Sequence, residues 1–176
     1  VPTLEQAMLA AKGKVLINLD KADRYFDLVV PVLEKTGTAK QIIMKGARSA
    51  ESVLELYGQY LDEIIYMPVV NFNNGSAEEL IEGHMSALKP CAYELVYGSE
   101  ELEEYLVRLK EKIGDDALIW YNTLWASLCA GHDDSLALKD PDKAYGYLID
   151  TLGADILQTD RAEYLLEYLR KRGLHD

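Results

Sequence analysis

Six short apolar runs, each followed by a stretch of helical period, constrain this chain more than any other feature. The runs begin at Lys14, Gln41, Glu63, Ala92, Ala117 and Asp155, 22 to 38 residues apart. They lack clean alternation, which suits strands buried on both faces in a parallel sheet with helices outside. A closed eight-stranded barrel uses about 250 residues, roughly 30 per βα unit. The spacing fits that unit, and the chain is two units short. An open doubly wound sheet also accommodates six strands, but it usually carries a Gly-rich loop after its first strand. None follows Asp20.

The strands are expected at Lys14–Asp20, Gln41–Lys45, Glu63–Val70, Ala92–Tyr97, Ala117–Asn122 and Asp155–Thr159. The helices are read from apolar residues at three- and four-residue spacing. They run from Thr3 to Lys12, Asp23 to Lys35, Ala47 to Leu61, Ser76 to Leu88, Glu100 to Ile113, Asp140 to Leu152 and Arg161 to Arg172. Thr3, Ser76 and Ser99 are N-cap candidates. Gly13, Gly153 and Gly173 are stops. Pro31 inside the second helix predicts a kink or a later start. Asn71-Phe72-Asn73-Asn74-Gly75 is turn chemistry, and Gly131-His132-Asp133-Asp134-Ser135 is a polar connection.

The 176 residues suffice for one domain, 1–176, and hydrophobic residues at 49% allow a real core. A net charge of -12 with no basic stripe excludes a nucleic-acid partner. Such a chain binds a phosphate ester when a divalent cation inverts the local field. No apolar run approaches the roughly 20 residues of a membrane span, and there is no signal peptide. Val1 in place of an initiator Met points to an N-terminus that was processed, trimmed or cloned. Cys91 and Cys129 fit no metal or redox spacing and read as two half-buried thiols.

Val1-Pro2-Thr3-Leu4-Glu5 followed by Leu16-Ile17-Asn18-Leu19-Asp20 resembles the middle of a glycerophosphodiester phosphodiesterase. In that family a Pro-Thr-Leu-Glu helix start precedes the third barrel strand, which ends in an acid. Gly153-Ala154-Asp155 leading to Thr159-Asp160-Arg161 is similar to the family's eighth strand. Trp120-Tyr121-Asn122-Thr123-Leu124 resembles the seventh strand of its bacterial branch. The resemblance implies an α/β fold, a partial TIM (β/α)8 barrel carrying strands three to eight. It implies a hydrolase that converts glycerophosphodiesters to glycerol 3-phosphate and an alcohol, with a role in lipid and glycerol metabolism. A divalent cation, Ca or Mg, held by carboxylates would polarise the phosphoryl oxygens. Two histidines would transfer protons, and neither is found in its expected context. The sequence itself carries no address; the bacterial relatives would place the protein in the periplasm or outside the cell.

The resemblance makes Asp20 a metal ligand, against the alternative of a turn or N-cap acid. The family usually has Glu-x-Lys where this chain has Asp20-Lys21-Ala22. Asp is one methylene shorter, and Lys21 is displaced by one position, so on an ideal strand it points to the opposite face. Lys45 ends its strand as a phosphate contact or a solvated lysine. Glu94, inside an apolar run, either faces the barrel mouth or pairs outward with a helix lysine. Trp120 is an apolar wall for glycerol or the alcohol, or core packing. Asn122 is a polar contact at the same strand's end. His132-Asp133-Asp134 reads as solvated loop. Thr159-Asp160-Arg161 reads as the cap of the last helix, with Asp160 near its amides. His84 and His175 take no role.

Two functions are carried forward. One is the C-terminal part of a metal-dependent phosphodiesterase, lacking its first two βα units and with very low activity alone. The other is a non-catalytic barrel-derived module that binds a ligand or a partner. Open edges at Lys14–Asp20 and Asp155–Thr159 predict self-association or pairing with a separate N-terminal segment.

Overall fold

The computed structural model describes residues 1–176. Its contacts divide the chain into two units, Val1–Val69 with Glu79–Cys91 and Val70–Glu78 with Ala92–Asp176. Every strand pair within each unit is parallel, so the α/β class expected from the βα rhythm holds. No helix is long and apolar enough to cross a membrane.

In the first unit α1 (Leu4–Ala11) opens on the expected Thr3, whose hydroxyl accepts from Gln6 N–H at 3.2 Å. Gln6 Oε1 returns the bond by accepting from Thr3 N–H at 2.9 Å. The first strand is shorter than its apolar text. β1 covers only Ile17–Leu19, all half-buried, while Val15 and Leu16 are 57% and 59% exposed. The reason is position: β1 pairs with β2 (Ile42–Gly46) alone and lies at a sheet edge. A 3-10 turn at Ala22–Tyr25 then delays α2 to Phe26–Thr36, a later start consistent with Pro31 lying in its second turn. Gly37 closes α2 in the left-handed conformation, φ 63°.

β3 (Ile65–Asn71) follows α3 (Ala50–Tyr57), which Ser49 caps at Ser52 N–H. Phe26, Val29 and Leu33 of α2, Ile42 and Met44 of β2, Val53 and Tyr57 of α3 and Tyr66 of β3 form one core. Ile42 and Met44 therefore face the helices. Ile43 and Lys45, one residue out of phase, face the opposite side of the sheet. The same alternation puts Ile17 and Leu19 on the core and Asn18 on the far face.

After α4 (Ala77–Gly83) a π turn, His84–Leu88, buries His84 completely. Its Nε2 lies 2.8 Å from Arg48 O, an acceptor, so Nε2 carries the proton and Nδ1 is a buried bare lone pair. Burial holds the ring below the usual histidine range, outweighing the Arg48 carbonyl. The unfolded chain thus binds a proton near pH 6.5 that the folded ring refuses. Stability is full above that pH and falls as the pH drops through 6.5, by up to about 1.4 kcal/mol per unit. Urea unfolding at pH 7 and pH 5 should show a larger loss for the parent chain than for His84→Gln. Equal losses would refute it.

In the second unit β4 (Ala92–Val96), β5 (Leu118–Asn122) and β6 (Ile156–Gln158) lie side by side. Asn73 N–H donates to Asn71 Oδ1 at 3.0 Å, the side-chain turn expected after β3. Ser99 accepts from Glu101 N–H and leads through a 3-10 turn into α5 (Glu103–Ile113). Asp155 fastens the start of β6: its Oδ2 accepts from Ile119 N–H at 2.8 Å and from Lys110 Nζ at 2.9 Å. The helix expected at 140–152 is broken in two, and a short helix precedes it in the connection read as polar loop. In chain order these are α6 (Asp134–Ala137), a π turn at Asp142–Gly146 and α7 (Tyr147–Asp150). α8 (Ala162–Lys171) closes the chain. Leu157 packs on Ala137, Ala144, Tyr145 and Leu165, so the helix side of this sheet holds Leu157 and its register partner Tyr121. The two thiols are unlike each other: Cys91 is exposed and Cys129 fully buried, its pKa pushed up to about 12 by burial.

Candidate functional site

The strand faces turned away from the helices carry the polar residues expected from the sequence. In the second unit Glu94 of β4 sits in register with Trp120 of β5, and Trp120 with Ile156 of β6. Asn122 is in register with Gln158. Leu95, Tyr121 and Leu157 alternate with these on the helix side. The alternation therefore places Glu94, Trp120, Asn122 and Gln158 on one face.

Glu94 is 5% exposed, and a buried carboxylate there needs partners. Asn122 Nδ2 donates to its Oε1 at 3.2 Å. Asn122 Oδ1 in turn accepts from Leu124 N–H at 3.1 Å, which fixes the amide's orientation and aims its donor end at Glu94. Trp120, half-buried, lies beside this pair. The arrangement offers carboxylate oxygen, amide and indole surface to a hydroxylated ligand.

In the first unit Lys45 is 5% exposed, on the face opposite Ile42 and Met44 and in register with Met67. The reading of Lys45 as a solvated strand-end lysine does not hold. Asp20 follows β1 directly, but its side chain is 68% exposed and pairs with Lys21 Nζ at 3.6 Å. Lys21 adopts a left-handed backbone, φ 58°. No group of three or more His, Cys, Asp or Glu side chains converges to hold a metal ion. One exposed carboxylate next to an ammonium does not make a cation site, so the donor set present in this chain does not fit a bound Ca or Mg.

Two clusters depart from the sequence reading. His132 is packed, not loop-solvated: Nε2 lies 3.1 Å from Glu103 Oε1 and Nδ1 2.7 Å from Lys143 O. Its ring stacks on Tyr147 at 4.4 Å, and Tyr147 OH donates to Glu103 Oε2 at 2.7 Å. That bond and burial push the Tyr147 phenol up to about 12. The long sequence separation between Glu103 and His132 hides the pairing.

Asp134 is the second departure, a buried acceptor where a solvated loop residue was expected. Its Oδ1 accepts from Thr123 at 2.6 Å, Thr159 at 2.8 Å and Tyr145 at 2.9 Å. Its Oδ2 accepts from Asp160 N–H at 2.9 Å. Asp160 therefore does not cap α8. The position before that helix is Arg161, with no side-chain cap, and Thr159 Oγ1 accepts from Arg161 N–H at 2.8 Å.

Among solved structures, the fold is similar to a glycerophosphoryl diester phosphodiesterase from Parabacteroides distasonis. The match has a TM-score of 0.67 at 19% identity and covers 97% of this chain and 56% of that one. In sequence the chain is 32% identical over 117 residues to an adenine phosphoribosyltransferase from Flavobacterium johnsoniae, covering 60% of this chain and 61% of that enzyme. The chain thus spans less than two thirds of each of these proteins. Residues 66–169, more than half of the chain, match the family model DUF4996, described as a domain of unknown function, and the chain belongs to that family.

Proposed function

We propose that residues 1–176 are the third to eighth βα units of a barrel phosphodiesterase acting on glycerophosphodiesters. The observation that carries this reading is the fold likeness to a glycerophosphoryl diester phosphodiesterase over 97% of the chain. The phosphoribosyltransferase likeness spans only 60% of it, and the reading follows the longer match. In the second unit Glu94 and Asn122 meet hydroxyls of the ligand and Trp120 walls its apolar part.

Proton transfer is not assigned to this chain. Of its three histidines, His84 is committed to Arg48 O, His132 to Glu103 and Lys143 O, and His175 lies in the exposed C-terminal tail. No step is routed through a cation, because the residues present do not form a cation site. The chain binds and orients its ligand and does little chemistry alone.

The test pairs turnover with binding. Glycerophosphocholine hydrolysis by the purified chain, with Ca or Mg added, should stay far below the roughly 10 s⁻¹ of an ordinary enzyme. Calorimetry should detect glycerophosphocholine binding that Glu94→Ala and Trp120→Ala each weaken. Ordinary turnover would overturn the inactivity. Absence of binding at millimolar ligand would overturn the site and leave the non-catalytic partner-binding module as the better reading.

A further inference from the structure

His132 sits between two acceptors. Its Nδ1 lies 2.7 Å from Lys143 O, and its Nε2 lies 3.1 Å from Glu103 Oε1. A carbonyl has no hydrogen to give, so the hydrogen on the first line belongs to the ring. A neutral imidazole has then spent its one N–H, and the second line needs a further proton between ring and carboxylate. The closed pair therefore holds one proton more than a neutral ring beside a carboxylate. Both side chains are 14% exposed, so water reaches that proton. These bonds fasten one side of the connection that follows β5. The base of the connection is closed separately: Asp134 N–H donates to Thr123 O at 2.8 Å, and Thr123 Oγ1 donates to Asp134 Oδ1. Between base and fastening, Ala130 holds a left-handed backbone, φ 46°, a strained state for a residue with a Cβ. Its N–H donates to Tyr97 O at 3.0 Å.

Every element around the ring bears on Glu103 or is committed elsewhere. Tyr147 of α7 stacks on the ring and donates to Glu103 Oε2, and Glu100, in the 3-10 turn before α5, acts on that phenol. Tyr97, after β4, reaches Glu103 Oε1 at 3.5 Å, and Tyr121 of β5 lies in the field of Glu103. The Lys143 ammonium is turned to Asp140 at 3.2 Å. On the ring's own connection Asp133 accepts from Leu136 N–H at 2.9 Å, and the Cys129 thiol is 3.7 Å from Trp125 O. We propose that the Glu103–His132 pair is a proton-operated latch. Holding the extra proton, it ties the connection after β5 to α5 and to the π turn; losing it, the pair sets a lone pair against a carboxylate and lets that side go. The closed form binds one proton more than the open form, so rising pH favours opening. Above the pH of about 6.5 at which a free histidine gives up its proton, the balance shifts by up to about ten-fold per unit. The latch does not depend on what the chain binds.

Local amide hydrogen exchange over residues 126–132, corrected for the intrinsic effect of pH, reads the latch directly. Global stability does not, because the buried His84 gives it a pH dependence of opposite sign. Between pH 7 and pH 9 the protection of this segment should fall by up to about ten-fold per unit, while α8 keeps its own. His132→Gln removes the extra proton and should remove the pH dependence. Glu103→Gln is the sharper variant. Its amide can donate to the bare Nε2 of a neutral ring and still accept from Tyr147 OH, so the segment should stay protected at pH 9. Protection in the parent that does not change with pH would overturn the latch. So would Glu103→Gln no better protected than the parent at pH 9.

Discussion

Asp134→Ala is expected to lower the unfolding free energy by about 3 kcal/mol, a fall in Tm on the order of 10 °C for a chain of this length. Three hydroxyls and one backbone N–H converge on this carboxylate, which is 8% exposed. Alanine leaves some of them alternatives. Thr123 can turn to Gln158 O at 2.8 Å, and Tyr145 OH is 3.1 Å from Thr159 Oγ1. The Asp160 N–H and one hydroxyl proton are left stranded in a dry site, which dominates the cost. Asp134→Asn sharpens the test. The amide keeps one acceptor for the hydroxyls but turns an NH₂ toward Asp160 N–H, donor against donor, so about 2 kcal/mol should still be lost. Thermal unfolding of the two variants checks this. A Tm within 2 °C of the parent for both would show that the convergence contributes little. The consequence reaches the ends of β5 and β6, since Asp134 joins the loop after β5 to the loop after β6.

The fold was legible where local physics and tertiary packing agree. The βα rhythm survives in six strands, and the expected caps Thr3 and Ser99 act through bonds that their own sequence neighbourhood supplies. The first strand was overread because apolar residues at Val15 and Leu16 look the same in text whether they face a core or a sheet edge. The stretch 140–152 reads as one helix because its apolar spacing does not betray the break into a π turn at Asp142–Gly146 and α7. At the candidate site, strand alternation placed Glu94, Trp120 and Asn122 on one face, a property of period two that any sequence displays. What lies out of reach of text is pairing at long separation. Glu103 meets His132 across 29 positions, and Asp134 meets Thr159 across 25. No local pattern announces either, so an acid-rich loop that holds two elements together reads as solvated. Asp20 shows the reverse: a motif position holding an acid, one methylene shorter than the family's Glu, left exposed against Lys21.

Gly46→Ala is expected to cost about 2 kcal/mol, although alanine is the smallest possible change and the backbone there requires no positive φ. Gly46 ends β2, and a Cβ on it would stand 2.6 Å from Tyr66 OH and 3.1 Å from Asp23 Oδ2. Neither neighbour is free to move. Tyr66 is 4% exposed in the core of the first unit. Asp23 is held through its carbonyl, which accepts from Tyr57 OH at 2.7 Å, and through Arg48 Nε at 3.5 Å. The Tyr66 hydroxyl makes no hydrogen bond of good geometry, and burial pushes its titration up with the Arg48 backbone opposing only in part, so removing it sacrifices little. Tyr66→Phe alone should therefore be close to neutral. In the Gly46→Ala background the same change should recover more than half of the loss, a coupling of about 1 kcal/mol or more. Asp23 accounts for the remainder. Urea unfolding of the four proteins closes the cycle, and strictly additive effects would mean that the hydroxyl does not set the space at Gly46.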